Sequence, residues 1–499
     1  MIMAKIFEEN KLFNLLIKIL FCLLPFLLCV LLIKIRWGMS IPNLKPTWGD
    51  EVWWWTQAGG MAKYGHPLGV YGYNGSKATI GTFATWGWAA VVPYALFAKI
   101  FGWNLYSYFL CNIFYISIAN FIFIKLTHPD YKSIFSLSFC NIALILNSLF
   151  STTAMQETCR TAFGIIICAC LYKIREQNNK KIFKFFKYFI VPVFLLFAIQ
   201  MYMIFAVFLF IYLLEVVKKK LDLIKAILLS ILLSGIITIS VQKFSALFCA
   251  PYISSSNERK LYDNFFVFLN CRNTFFYAFG LLILLVLIAL LFQLQGGGIG
   301  FGYIMNNENF CTRTSCIILS AFLTGYLFLY GNASAWTMIR GLNIGLCCSL
   351  YVLSLEKKKT VNIFCTVLLV VSLFSINSIE STFYLDRTTS QEQRNIMTEH
   401  KELFNKYILL NANAQNPWEN TVSTFCVTET DTLCLPTGFG NNWMQNGEVN
   451  TNAKYCVVGL SLPEYTEMTN EYISKLNEKG WVLLYEDKTI TIWKNPKYI

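Results

Sequence analysis

A polytopic α-helical membrane protein is the predicted fold class: about eleven transmembrane helices, interfacial helices in the first exterior loop, and a small C-terminal exterior α/β domain. Three observations predict it. The 499 residues are 56% hydrophobic, 16% aromatic and only 14% charged, too apolar for a chain kept in water by its own surface. Apolar runs long enough to cross a bilayer recur from residue 14 to residue 378. Basic residues gather in short intervals between those runs, as at Lys180, Lys181, Lys184 and Lys187, at Lys218 to Lys220 and at Lys357 to Lys359. That is the pattern of cytoplasmic loops.

The net charge of +13 belongs to the apolar part. From Glu380 onward there are ten Lys/Arg against fifteen Asp/Glu, whereas residues 1–379 hold 31 against 13. No basic patch lies on a soluble element, so a nucleic-acid partner is excluded and the expected partner is the lipid bilayer. Most of the 17 cysteines lie inside apolar runs, where Cys acts as a small hydrophobe. Three separated histidines and no CxxC pair argue against a protein-only zinc site.

The first run, about 14–35, follows Lys5 and Lys11 and precedes no small-residue cleavage site. It reads as a retained anchor with the N-terminus cytoplasmic. Later runs lie at about 103–126, 133–150, 156–172, 183–199, 200–216, 222–243, 274–293, 315–331, 336–355 and 360–378. The stretch from Tyr188 to Leu214 has lysines beyond both ends, so it reads as two short helices turning near Gln200. Residues 86–101 are apolar enough for a further span, but counting them would invert every later loop; they are expected in the interface as an amphipathic helix.

Two domains follow from this trace, 1–379 in the membrane with a first exterior loop at 36–102, and 380–499 outside. In the tail, Tyr455 to Gly459, the helical stretch Glu464 to Lys479, Gly480 to Tyr485 and Thr489 to Trp493 outline a small α/β unit. Cys426, Cys434 and Cys456 there either pair two at a time or stay free. The Gly296 to Gly302 patch has no preceding strand and reads as a linker.

The chemistry centres on the few exterior polar groups. Asp50 and Glu51 are adjacent carboxylates followed by three tryptophans, close after the first span, and a helix is expected over Asp50 to Tyr64 with the acids at its start. The pair reads either as a solvated cap in an aromatic belt or as catalytic acids. Arg160 and Arg340 lie at the outer ends of spans and suit an anionic phosphate. Arg160 reads equally as the partner of Glu157 three residues before it, whereas Arg340 has no nearby acid in sequence. His66, Tyr73, Asn74 and Lys77 are loop residues that suit either substrate contact or turn structure. Arg272, Glu258 and Asp263 in a later exterior loop are weaker candidates. No acid sits at mid-membrane, which disfavours a coupled transporter.

An anchor helix, an exterior Asp-Glu pair and an apolar segment ending in Phe-Gly before the second span resemble the plan of GT-C membrane glycosyltransferases, including protein O-mannosyltransferases and lipid A aminoarabinose transferases. Here these parts are Trp48-Gly-Asp50-Glu51, Tyr64-Gly-His66-Pro67 and Pro93 to Gly102. The chain is also similar to bacterial membrane proteins of polysaccharide loci in Tyr71-Gly-Tyr-Asn74-Gly75, Gly81 to Gly87 and Gly102-Trp103 through Ser107.

The resemblance implies transfer of a sugar from a polyprenyl-phosphate donor to a glycan or lipid acceptor, at the exterior face of a bacterial plasma membrane. It implies Asp50 as general base, Glu51 as its neighbour, and inversion at the anomeric carbon. No cofactor follows from it with certainty, and a divalent metal stays open. Two competing functions remain at this level. One is a polysaccharide polymerase or ligase using a lipid-pyrophosphate-linked oligosaccharide. The other is a non-catalytic flippase or assembly protein for lipid-linked glycans.

Overall fold

The computed structural model describes residues 11–38, 40–43, 49–65, 69–71, 79–81, 88–104, 106–147, 156–176, 181–216, 309–329, 335–356, 359–382, 409–413, 433–436, 455–459, 466–486 and 490–499, with scattered positions between 232 and 288. Of the expected spans at 222–243 and 274–293 only a few residues are among these, including the buried Leu282, Ile283 and Val286.

Helix α1 (Lys11–Trp37) is the expected anchor. It buries Phe21, Pro25, Cys29 and Ile33, a stripe at four-residue spacing, and exposes Leu12, Leu16, Leu20, Leu23, Leu27 and Leu31, the two faces of a helix set between protein and lipid. Pro25 has no N–H, so the Phe21 carbonyl loses its helical partner. The Asn120 amide donates to that oxygen at 3.4 Å, which answers the requirement that backbone groups inside a bilayer be satisfied within the protein.

After α1 come α2 (Gly49–Tyr64), a hairpin of β1 (Gly69–Tyr71) and β2 (Thr79–Gly81), and α3 (Trp88–Phe101). The bundle continues with α4 (Ser107–Thr127), α5 (Tyr131–Asn147) and α6 (Glu157–Glu176). Asp130 accepts from the Ser133 amide at 2.9 Å and so starts α5. Next are α7 (Lys181–Phe185), a π-turn (Phe186–Ile190), α8 (Val191–Met201), a 3-10 turn (Met203–Phe205) and α9 (Ala206–Val216). The last bundle helices are α10 (Phe310–Thr324), extended by a π-turn at Gly325–Leu329, α11 (Ala335–Leu353) and α12 (Lys359–Thr382).

Four stretches among the described residues are long and apolar enough to cross a membrane: Leu12–Ile35, Ser107–Thr127, Phe183–Met201 and Phe310–Leu327. The expectation of two helices turning near Gln200 agrees with the geometry. Tyr202 is extended (φ −162°, ψ 106°), and the Tyr212 hydroxyl donates to the Lys187 carbonyl at 2.9 Å. At 1.5 Å per residue a continued helix would hold those two positions tens of ångströms apart, so the chain reverses at Tyr202.

Cross-bundle contacts put the helix ends in register. At one end, the first-loop end, lie Trp37, Ser107, Glu157, Tyr202, Tyr326 and Gly341. At the far end Ser133 donates to the Ser354 carbonyl at 2.7 Å, Ser136 bonds Asn362, and Arg175 and Arg313 both bond Glu215. Midway, the Tyr351 hydroxyl donates to Asn120 Oδ1 at 2.5 Å and accepts from Asn141 Nδ2 at 2.8 Å, which joins α4, α5 and α11. Helix α6 is central: from Glu157 to Leu171 every residue but Ile166 is buried, and it packs against α4, α8, α9 and α11.

Helix α3 departs from expectation. It packs against α2, α4 and α8, burying Ala90, Val91, Tyr94 and Phe97, while its outward residues Leu96, Ile100 and Phe101 are also apolar. It has no polar face and is not amphipathic. Its 14 residues reach about 21 Å, short of a hydrocarbon core of about 30 Å.

The tail is a five-stranded sheet in the order β4-β3-β5-β7-β6, comprising β3 (Leu409–Asn413), β4 (Leu433–Pro436), β5 (Tyr455–Gly459), β6 (Val482–Glu486) and β7 (Ile490–Lys494), with α13 (Thr466–Glu478). Strands β4, β3 and β5 run parallel, whereas β7 is antiparallel to both β5 and β6. Cys456, Tyr472, Leu476, Trp481 and Trp493 form its core, and Cys456 there is a buried free thiol. Edge strand β4 lies against β1 of the first-loop hairpin.

Candidate functional site at the first-loop end

Helix α2 begins where the sequence places it, with Asp50 and Glu51 in its first turn, the end at which a helix favours negative charge. One turn on, two tryptophans fix its position reciprocally. Trp55 Nε1 donates to the Asn104 carbonyl at 2.9 Å and Trp103 Nε1 donates to the Trp55 carbonyl at 2.8 Å. The tryptophan-rich stretch therefore ties α2 to the start of α4. Between them α3 ends at Gly102, whose φ of +82° is left-handed; this is the physical content of the Phe-Gly motif, because a side chain there would be strained.

Tyr94 on α3 donates to Asn112 Oδ1 at 2.7 Å and stands within electrostatic reach of Glu157 and Arg160. Glu157 and Arg160 open α6, where their closest approach is 4.0 Å, the outer limit of an ion pair. Arg160 is engaged more closely elsewhere. Its Nη2 donates to the Met201 carbonyl at 3.2 Å, and its guanidinium stands 4.2 Å from the Tyr202 ring centroid. It is 5% exposed. Arg160 thus clasps the α8–α9 reversal, a role that neither reading from the sequence anticipated.

Tyr202 in turn lies 6.3 Å, centroid to centroid, from Tyr326 in the π-turn after α10. Tyr326 packs directly over Gly341, leaving no room for a Cβ. Gly341 follows Arg340, so the backbone of the second candidate arginine, in the second turn of α11, adjoins the same aromatic group. The sequence signals for this cluster were the helix break near Gln200 and the outer-end cations Arg160 and Arg340, whereas the tyrosines gave none.

His66, Tyr73, Asn74 and Lys77 lie outside the described residues; Tyr73, Asn74 and Lys77 fall between β1 and β2. Glu258, Asp263 and Arg272 are also outside them. Among the described residues no three His, Cys, Asp or Glu side chains come together as metal ligands.

No protein-family model matches the chain, and no curated protein matches it in sequence. In structure it is similar to ArnT from Cupriavidus metallidurans. The apo crystal structure aligns with a TM-score of 0.52 and 8% identity, covering 94% of this chain and 98% of that one. The crystal structure bound to undecaprenyl phosphate aligns with a TM-score of 0.50 and 9% identity, covering 95% and 97%. ArnT is an aminoarabinose transferase, a GT-C glycosyltransferase. Read first in the loop after α1, the resemblance to that plan extends as a likeness of fold over nearly the whole chain.

Proposed function

We propose that the chain transfers a sugar from a polyprenyl-phosphate carrier to a hydroxyl of a cell-surface glycan or lipid. The transfer takes place at the first-loop end of the bundle, facing the exterior of a bacterial plasma membrane. What supports this reading is the ArnT-like fold together with the order of the chain, which sets the acidic first turn of α2, the first turn of α6 with Arg160 and the early turns of α11 with Arg340 at the same end of the bundle. One of the two ArnT structures holds undecaprenyl phosphate, the class of carrier proposed.

In this reading the acceptor oxygen attacks the anomeric carbon as the bond from that carbon to the phosphate oxygen breaks. The acceptor proton passes to the Asp50 carboxylate, with Glu51 beside it. The carrier leaves as lipid phosphate, and configuration inverts. A phosphate is already a competent leaving group, so charge stabilisation matters more than acid catalysis. Arg340 supplies it, since Arg160 is engaged with Met201 and Tyr202.

The test is transfer by purified Asp50→Asn protein from a polyprenyl-phosphate sugar. The expected loss is about 10²-fold to 10⁴-fold with unchanged thermal unfolding, and wild-type activity would remove Asp50 from the reaction. The nearness of Arg160 and the α11 start to one aromatic cluster also suits a lipid pyrophosphate. Competition between pyrophosphate-linked and phosphate-linked donors separates the polymerase or ligase reading, and a flippase would keep its function in Asp50→Asn.

A further inference from the structure

We infer that Gln156, Arg160 and Tyr202 form a subsite that reads a hydroxyl of the donor sugar, an assignment that rests on the glycosyl-transfer reading above. The three are 3%, 5% and 4% exposed. Arg160 links them: its amide donates to the carbonyl of Gln156, the residue just before α6, at 2.8 Å, which spaces the two by one helical turn, and its guanidinium lies over the Tyr202 ring. Yet Gln156 Oε1, Arg160 Nε and the Tyr202 hydroxyl have no hydrogen-bond partner among the described residues. Buried polar atoms are nearly always paired, and three orphans together call for a missing partner.

Their chemistry selects that partner. Gln156 Oε1 only accepts, Arg160 Nε only donates, and the Tyr202 hydroxyl does both. An ionised phosphate only accepts and would set its charge against the Gln156 oxygen. A lipid tail satisfies none of the three. Vicinal sugar hydroxyls both donate and accept, and they answer all three. The atoms are sealed in this packing, so a sugar reaches them only when the packing at the α8–α9 reversal opens.

The test uses the full chain in detergent and measures binding of citronellyl phosphate and of citronellyl phosphates carrying glucose, galactose, mannose or an aminopentose. Wild type should bind at least one glycosyl phosphate more tightly than the sugar-free lipid. Tyr202→Phe and Gln156→Met should each weaken that glycoside about fivefold to tenfold, the worth of one hydrogen bond, and bind citronellyl phosphate as wild type does. Both variants should unfold at the wild-type temperature or above it, because each deletes an unsatisfied atom; a merely structural role predicts the reverse. Retained preference in both variants, or no glycoside preferred by wild type, overturns the subsite. Failure of wild type to bind citronellyl phosphate or any of its glycosides overturns the glycosyl-transfer reading itself.

Discussion

The two ends of the helix bundle handle buried charge in opposite ways. At the far end two acids that lie between helices are each met twice. Glu215, 3% exposed in its side chain, accepts from Arg175 at 3.2 Å and from Arg313, and Glu356 accepts from the Thr312 amide and hydroxyl at 2.9 and 2.8 Å. These bonds join α6, α9, α10 and the turn after α11. At the first-loop end the Glu157–Arg160 pair is stretched to 4.0 Å, packing is carried by aromatic rings and glycine, and polar atoms of Gln57, Gln156, Arg160 and Tyr202 lack partners among the described residues. The difference lies in how charge is met, by paired ions at one end and by rings and carbonyls at the other, rather than in leftover polar atoms, since Thr314 Oγ1 at the far end also lacks a partner among the described residues.

Breaking the closed end should have the largest effect. Glu215→Ala leaves the buried Arg313 without its carboxylate beside the partly exposed Arg175 and should cost about 3 kcal/mol, read as a fall in unfolding temperature in detergent. A loss under about 1 kcal/mol would mean the pair is hydrated and the contrast overdrawn. Next is Gly341→Val at the open end, where the added carbons collide with Tyr326. Overpacking of this kind costs about 1–3 kcal/mol, and displacement of Tyr326 should lower donor affinity along with stability, whereas Glu215→Ala should spare the affinity of whatever fraction remains folded. Smallest is Tyr351→Phe midway between the ends. It removes the hydroxyl shared by Asn120 and Asn141 and should cost about 1 kcal/mol without touching substrate binding.

Much of this architecture was legible because span length and loop charge are local properties. The anchor, the helix at Asp50, the reversal near Gln200 and the outlines of β5, α13, β6 and β7 all follow from runs and turn signals within a few residues. What was not legible depends on partners far away in sequence. Arg313 lies before the expected span at 315–331, yet α10 starts at Phe310, capped by Asn309 accepting from the Thr312 amide, and Arg313 reaches Glu215, 98 positions earlier. Strands β3 and β4 were missed, since a short parallel strand carries no alternation of its own. Arg160 was assigned to phosphate or to Glu157, because nothing near it in the chain announces the Met201 carbonyl or the Tyr202 ring.

Helix α6 touches neighbours on nearly every side, and its middle is built from Thr161, Ala162, Gly164, Cys168, Ala169 and Cys170. A helix with almost no free face has few positions where an accidental substitution is harmless, whereas the outward leucines of α1 can exchange among greasy side chains at little penalty. Divergence among descendants of this protein should therefore be slowest along that inner rod and fastest on the lipid-facing rim, so that volume at a handful of small residues, more than any catalytic motif, would mark distant kin.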